Sequence, residues 1–334
     1  MEYKIVCYTP KWHERLLAFM HEAFPHRDIR YLDWWLTNVD TNEDCWEKSG
    51  VVLDNDRIIA CSPVNGLSIA SCDGRSRIFS GANFIVSSEY RGKGISRLIY
   101  ERYDFPGTLS VGFTDIGWKI QPKYIKDFTP INPINVYLSL SMRGMLCSQI
   151  WRILSRRTLT DMRFPSRLNL GKGETLVLCA SPADLQTPAD GRWMGDALEL
   201  VRDASFIRKR YEDIYCKERY KIYQYLSNGR FTGYVVLRKT VYKGFDMISL
   251  VDFRFKNRSD EPKALRAAVK TAGRVGIGLV ITLTTRRWGH RLLPLTLMTG
   301  KKLNCALGTR EDKEKYDDIL ITSADSDLDF VYYR

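Results

Sequence analysis

Ser88-Glu89-Tyr90-Arg91-Gly92-Lys93-Gly94-Ile95-Ser96-Arg97-Leu98 is the stretch from which the fold is read. The apolar run Phe84-Ile85-Val86 precedes it, and Ile95–Tyr103 follows with helical spacing. The pattern predicts a strand that passes through a short basic loop into a helix. Such a passage presents unpaired backbone N–H groups at a helix start, where a phosphate can accept from them. Gly92 and Gly94 lack Cβ, so the backbone can bend tightly and approach a ligand. Arg91 and Lys93 add positive charge at the place a pyrophosphate would take.

The spacing excludes the common phosphate loops, since neither G-x-x-x-x-G-K-[ST] nor G-x-G-x-x-G is present here. What stands is Arg91-x-x-Gly94-x-Ser96. It resembles motif A, [QR]-x-x-G-x-[GA], of the GCN5-related N-acetyltransferase (GNAT) superfamily, with Ser96 in place of the usual Gly or Ala. The resemblance implies an acyl-CoA, acetyl-CoA first, whose pyrophosphate lies on Arg91, Gly92, Lys93, Gly94, Ile95 and Ser96. The pantetheine arm would lie beside Phe84, Ile85 and Val86. The competing reading is a basic strand-to-helix turn with no ligand.

The rest of the first half fits that fold. Glu2–Tyr8 alternates as a strand, and Thr9-Pro10 opens a helix to about Ala23. A second helix is expected over Ile29–Asn38. Val51–Asp54 and Ile58–Val64 read as a hairpin about Asn55-Asp56, and Arg77–Ile85 as the strand before the loop. Leu109–Phe113 reads as a strand and Asp115–Tyr124 as a helix disturbed at Pro122. The resemblance covers residues 1–127.

Residues 128–175 are expected to be a linker, marked by Pro130 and Pro133, and then a basic amphipathic helix over Tyr137–Leu159. Its face of Met142, Met145, Leu146, Ile150, Ile153 and Leu154, with Arg152, Arg156 and Arg157, suits a neighbouring domain or a peripheral contact with an anionic membrane.

Residues 176–334 repeat the pattern of the first half. A strand, the turn Ser227–Arg230 and a second strand are followed by Met247–Phe255, a helix over Pro262–Gly273 and a strand over Ile277–Leu283. The expected fold class is α+β: tandem GNAT-like folds with mixed central sheets flanked by helices, the second copy degenerate. In place of the glycine loop the second copy has Lys256-Asn257-Arg258-Ser259-Asp260-Glu261, whose carboxylates suit a helix dipole and repel a pyrophosphate. Phe206-Ile207-Arg208-Lys209-Arg210-Tyr211 and Gly233–Arg238 resemble tandem GNAT-like proteins of bacterial polysaccharide biosynthesis. So does the acidic run Asp325–Asp329, which lacks the Gly and distal Glu of a calcium loop and reads as a solvated turn.

Charge divides unevenly. Residues 1–127 hold 16 Lys/Arg against 17 Asp/Glu, residues 128–175 hold 7 against 2, and residues 176–334 hold 28 against 20. The basic excess points to an acidic acceptor handled outside the donor copy, with Arg208 and Arg210 as contacts. The 8 cysteines form no C-x-x-C, and the 4 histidines make no metal-ligand pattern, so reduced thiols, a cytoplasmic setting and no metal are expected. No run is long enough to span a bilayer.

Acyl transfer to an amine needs a held carbonyl, a general base and an acid for the departing thiolate. Tyr124 is the nearest tyrosine to the acid's place in the superfamily. Glu89 or Asp115 could serve as base, and Glu89 could instead only flank the loop. The resulting expectation is an acyl-CoA-dependent N-acyltransferase, with an amino sugar or related small amine as acceptor. The alternatives are an aminoacyl-tRNA-dependent transferase, whose basic half would bind RNA, and a non-catalytic CoA-binding protein. The intact pyrophosphate loop favours acyl-CoA over RNA.

Overall fold

The structure, a computed structural model, describes residues 3–37, 43–71, 74–81, 83–102, 107–112, 115–125, 127–147, 163–195, 198–212, 219–242, 245–288, 295–308 and 318–325. The chain forms two compact units. One comprises Met1–Ile69, Gly74–Asn132 and Asn304–Asp317, and the other Ala70–Asp73, Pro133–Leu303 and Asp318–Arg334.

In the first unit the strands are β1 (Lys4–Cys7), β2 (Gly50–Asp54), β3 (Arg57–Ser62), β4 (Val64–Ser71), β5 (Gly74–Gly81), β6 (Ile85–Val86) and β7 (Thr108–Val111). The helices are α1 (His13–Ala23), α2 (Ile29–Thr37), α3 (Glu43–Lys48), α4 (Ile95–Tyr100) and α5 (Asp115–Ile120). Pro10 opens a 3-10 turn ahead of α1, where its missing N–H costs nothing. Leu16, Leu17 and Met20 give α1 its buried face, and Tyr31, Leu32, Trp34, Trp35 and Leu36 bury α2. β2 and β3 close on the two-residue turn Asn55-Asp56, with Asn55 at φ 53°, a conformation asparagine tolerates.

Two strands of this unit change sheet midway. β3 and β6 pair in the sheet ordered β1-β2-β3-β6. Their continuations across Pro63 and Asn83, β4 and β5, belong to a different sheet, in which β5 lies parallel to β7 through Phe79 and Thr108. Residue 83 takes φ 55° at the change, again an asparagine. The result is a fork. β6 is the last strand of its sheet, and β7 continues in the other.

The second unit contains β8 (Phe128–Leu140) from Pro133 on, β9 (Arg167–Gly171), β10 (Glu174–Leu178), β11 (Glu199–Leu200), β12 (Tyr220–Ser227), β13 (Arg230–Tyr242), β14 (Phe245–Phe255), β15 (Leu279–Thr284) and the first part of β16 (Thr296–Gly308). β12, β13 and β14 run antiparallel in turn. The helix Pro262–Arg274 then returns the chain to β15, parallel to β14. The first unit has the same order: hairpin, antiparallel third strand, helix, parallel fourth strand. The core on this sheet holds Leu250, Phe253 and Phe255 against Leu265, Ala268 and Ala272 of the helix, all at most 1% exposed. Each such large apolar side chain contributes about 1.5–3 kcal/mol when buried.

The expected linker at 128–136 is strand. Its prolines precede the stretch that hydrogen-bonds to β15, which begins at Asn135, so neither interrupts that ladder. The expected helix over 137–159 is also corrected at its start. Tyr137–Leu140 finish β8, paired with β15, and helix occupies 142–147. The remainder of that segment, with Arg152, Arg156 and Arg157, lies outside the described residues. Among the described residues no helix is long and apolar enough to cross a membrane.

Candidate functional site

The loop from β6 to α4 is held from below. The Tyr90 hydroxyl donates to Asp54 Oδ2 at 2.7 Å, which ties the loop to the β2–β3 hairpin. That bond, more than partial burial and the negative charge of Asp54, raises the phenol above its ordinary value. Arg91 Nε donates to the Val86 carbonyl at 3.3 Å, and Lys93 Nζ stands 4.8 Å from the centre of the Tyr90 ring. Gly92 and Gly94 take φ 80° and 78°, and Gly94 caps α4 in the left-handed region. A Cβ at either would meet nothing within 4 Å, so the surface above the loop is open. Arg91, Gly92, Lys93 and Gly94 are exposed, Ser96 is half-buried and Ile95 is buried beneath them. The first amides of a helix have no intrahelical acceptor, and here they follow two glycines on an exposed turn.

The other predicted residues stand around the fork. Ile85 and Val86 pair with Cys61 and Ala60, and the second edge of β6 carries no strand partner among the described residues. Phe84 stacks on Tyr100 at 5.3 Å between centroids and 14° between planes, and Tyr100 stacks on Tyr124 at 5.8 Å and 10°. Tyr124, which ends the 3-10 turn Gln121–Lys123, is therefore brought to the strand with one ring between. Tyr100, the middle ring, carries no motif signal, because an aromatic at that helical spacing reads as core. Burial raises its phenol, and a hydrogen bond with Gln121 offsets part of the rise.

Glu89 is exposed and ion-paired with Arg57 at 3.1 Å, on the loop side of β6. Arg208 is exposed and donates to the Ala204 carbonyl within its own helix, Ala204–Tyr211. Arg210 is only 2% exposed. Its Nε donates to the Ala324 carbonyl at 3.3 Å, and its guanidinium lies over Tyr211 and Tyr220. The structure separates these two arginines into one surface and one interior residue.

In the second unit the corresponding places are filled. Glu261, expected as a carboxylate that suits the dipole at the helix start, is buried and paired through both oxygens with Arg286, at 2.7 and 3.0 Å. Beyond Leu250, β14 is no longer in register with β15, and the segment Ile319–Asp325 bonds to both strands. Thr285 exchanges backbone and hydroxyl bonds with Ile319 and Ile321, and Ser323 Oγ donates to the Val251 carbonyl. Asp325 was expected in a solvated turn. It is 3% exposed and accepts from Arg202 Nη2. Arg202 also meets Asp252 at 2.9 Å, and Asp252 takes further bonds from Arg254, Tyr234 and Thr322. The rest of the acidic run lies outside the described residues.

Solved structures share this fold. A GCN5-related N-acetyltransferase from Anabaena variabilis superposes with a TM-score of 0.60 at 11% identity, over 92% of this chain and 72% of that one. This chain has the GNAT fold. A probable N-acyltransferase from Enterococcus faecalis gives 0.58 at 12% identity over 92% and 72%. Saccharomyces cerevisiae N-myristoyltransferase, solved with bound myristoyl-CoA and inhibitors, gives 0.55 at 13% over 92% and 80%. No family model matches the sequence, and no curated protein matches it. In the first unit the fork carries no strand between its arms among the described residues. Ile319–Asp325 fills the corresponding place in the second.

Proposed function

We propose that this chain is an acyl-CoA-dependent N-acyltransferase that moves an acyl group, acetyl first, from CoA to an amine. The observation that carries the reading is the open glycine loop Arg91–Ser96 at the foot of the fork in a GNAT fold. The cofactor's pyrophosphate would lie on the amides of Gly92–Ser96, with Arg91 and Lys93 at its sides. The pantetheine arm would lie along the unpaired edge of Phe84–Val86. Tyr124 is the proposed acid for the departing thiolate. Glu89, paired with Arg57 on the loop side of β6, is poorly placed to meet an amine at the fork, and we assign it to holding the rim. The basic excess outside residues 1–127 supports an acidic acceptor such as a charged amino sugar.

Titration calorimetry of the whole chain with acetyl-CoA, a longer acyl-CoA and tRNA tests this reading. Acetyl-CoA should bind wild type at one site per chain. Gly94→Glu, which places a carboxylate at the phosphate, should abolish binding. Gly94→Ala, which carries only the backbone strain of φ 78°, should weaken it less. Undiminished affinity in Gly94→Glu would overturn the assignment. Binding of tRNA without acyl-CoA would favour the aminoacyl-transfer alternative.

A further inference from the structure

Asn83 stands where its strand leaves one sheet for the other, one residue before Phe84. Its left-handed backbone explains an asparagine or a glycine there, but not what has become of the side chain. The residue is 9% exposed. Arg27 Nη1 donates to its amide oxygen. Arginine only donates, so this contact fixes which end of the amide is oxygen. Nδ2 is thereby left as a buried donor, and it has no hydrogen-bond partner among the described residues.

A second orphan lies on the adjoining crossing. Asn65, at the start of β4, is 2% exposed, and neither its amide oxygen nor its nitrogen has a partner among the described residues. β4, which Asn65 begins, lies next to β5 in its sheet, and Asn83 stands between β5 and β6. Both orphaned amides thus lie where a strand passes from one sheet to the other. Buried polar groups in folded proteins are nearly always paired, so an amide donor left unpaired beside the strand edge of Phe84–Val86 is suited to a ligand that supplies the partner.

We infer that Asn83 Nδ2 donates a hydrogen bond to the acyl carbonyl oxygen of the bound thioester, with Arg27 holding the amide in that orientation. The inference rests on the acyl-CoA reading above. The cofactor would run from the loop along Val86, Ile85 and Phe84, and a strand rise of about 3.3 Å per residue puts residue 83 roughly 10 Å beyond Val86. That is the end of the strand away from the pyrophosphate, where the reacting carbonyl belongs. A donor fixed there before the reaction stabilises the negative charge that gathers on the carbonyl oxygen as the amine adds to the carbonyl carbon. As the C–S bond breaks, the oxygen's electron pair re-forms the carbonyl and the sulfur leaves with the bonding pair, taking a proton from Tyr124, while the amine nitrogen gives its proton to water.

CoA and acetyl-CoA differ by the acetyl group, whose one polar atom is the carbonyl oxygen, so titrating both into the full chain and comparing variants with wild type isolates this bond. Asn83→Asp keeps the shape and the Arg27 contact but replaces the donor with an acceptor. Asn83→Gly keeps the left-handed backbone and removes the amide. In both variants CoA should bind within twofold of wild type, while acetyl-CoA should bind about tenfold more weakly. The carbonyl stretch of bound [1-13C]acetyl-CoA gives a second readout. It should move to lower frequency on wild type and return toward the free value on Asn83→Gly. Should both variants at position 83 fail to fold, Arg27→Met leaves residue 83 in place with its amide unheld, and it should show the same losses in smaller degree. An acetyl-CoA to CoA affinity ratio unchanged by these substitutions overturns the role of Asn83 alone. Failure of wild type to bind CoA at all overturns the acyl-CoA reading, and this inference with it.

Discussion

Tyr124 and Glu89 are nominated on the same grounds of residue type and position in the chain, and their surroundings separate them. Tyr124 is stacked through Tyr100 onto the residue that leads β6, so its phenol belongs to the fork. Tyr124→Phe keeps the stack and removes only the hydroxyl. Turnover should fall about 10²- to 10⁴-fold, the usual worth of a positioned acid, with acetyl-CoA affinity unchanged. Glu89 forms an ion pair with Arg57 in which both side chains are more than half exposed, a kind of pair worth about 1 kcal/mol or less. Glu89→Gln should therefore leave turnover within about twofold of wild type. Steady-state kinetics of the two variants on one acyl-CoA and one amine decides both assignments, and equal losses would contradict them. The sequence alone could nominate these residues but not rank them. Rank depends on Tyr100 and Arg57, neighbours supplied by folding.

At the scale of elements, local pattern was legible and long-range pairing was not. The hairpin turns at Asn55 and Asn228-Gly229, the glycine loop, and the helix opened by Pro262 lie where spacing and turn chemistry put them. Tyr137–Leu140 read as the start of a helix because an apolar run has no period of its own, and its partner, β15, is remote in sequence. Asp325 is the sharper case. Its partner Arg202 is 123 residues away, so an acidic run that looks solvated conceals a member of a buried ion network. The network has a testable sign. Burial pushes the Asp252 carboxyl up, but Arg202, Arg254 and the Tyr234 hydroxyl outweigh burial and hold it below its ordinary value. A carboxyl depressed in the folded state stabilises the fold at neutral pH. That contribution is lost as pH falls through the folded value, below about 4. Asp252→Asn leaves buried guanidinium charge uncompensated and should cost about 3–5 kcal/mol at pH 7. In urea unfolding the gap between wild type and the variant should narrow as pH drops below about 4. A gap that is constant with pH would mean that Asp252 is not ionised in the fold.

For the molecule as a whole, the feature with most consequence is that neither unit is one continuous stretch of chain. Two pattern-matched halves, 1–127 and 176–334, suggest a boundary that could be cut. The structure instead gives Pro133–Leu140, which follows the first half, to the second unit, where it pairs with β15. It gives Asn304–Gly308, late in the second half, to the first unit, where Cys305, Ala306, Leu307 and Gly308 pair with Val111, Ser110, Leu109 and Thr108 of β7. Cys305, Ala306 and Leu307 are at most 1% exposed, so this strand is interior to its sheet. A fragment of residues 1–127 would leave β7 without that neighbour, exposing apolar side chains and a row of unpaired backbone groups at a new edge. Since β7 forms one arm of the fork, the loss reaches the proposed acyl-CoA site. The fragment should therefore lack a cooperative thermal transition and bind acetyl-CoA at least 100-fold more weakly than the whole chain, by about 2.7 kcal/mol or more. Adding residues 296–308 behind a flexible Gly/Ser linker after residue 127 should restore part of both, because the missing strand then becomes an intramolecular partner at high effective concentration. A fragment of residues 1–127 that melts cooperatively and binds acetyl-CoA as the full chain does would show that the exchanged strand is dispensable. The two halves would then be separable domains.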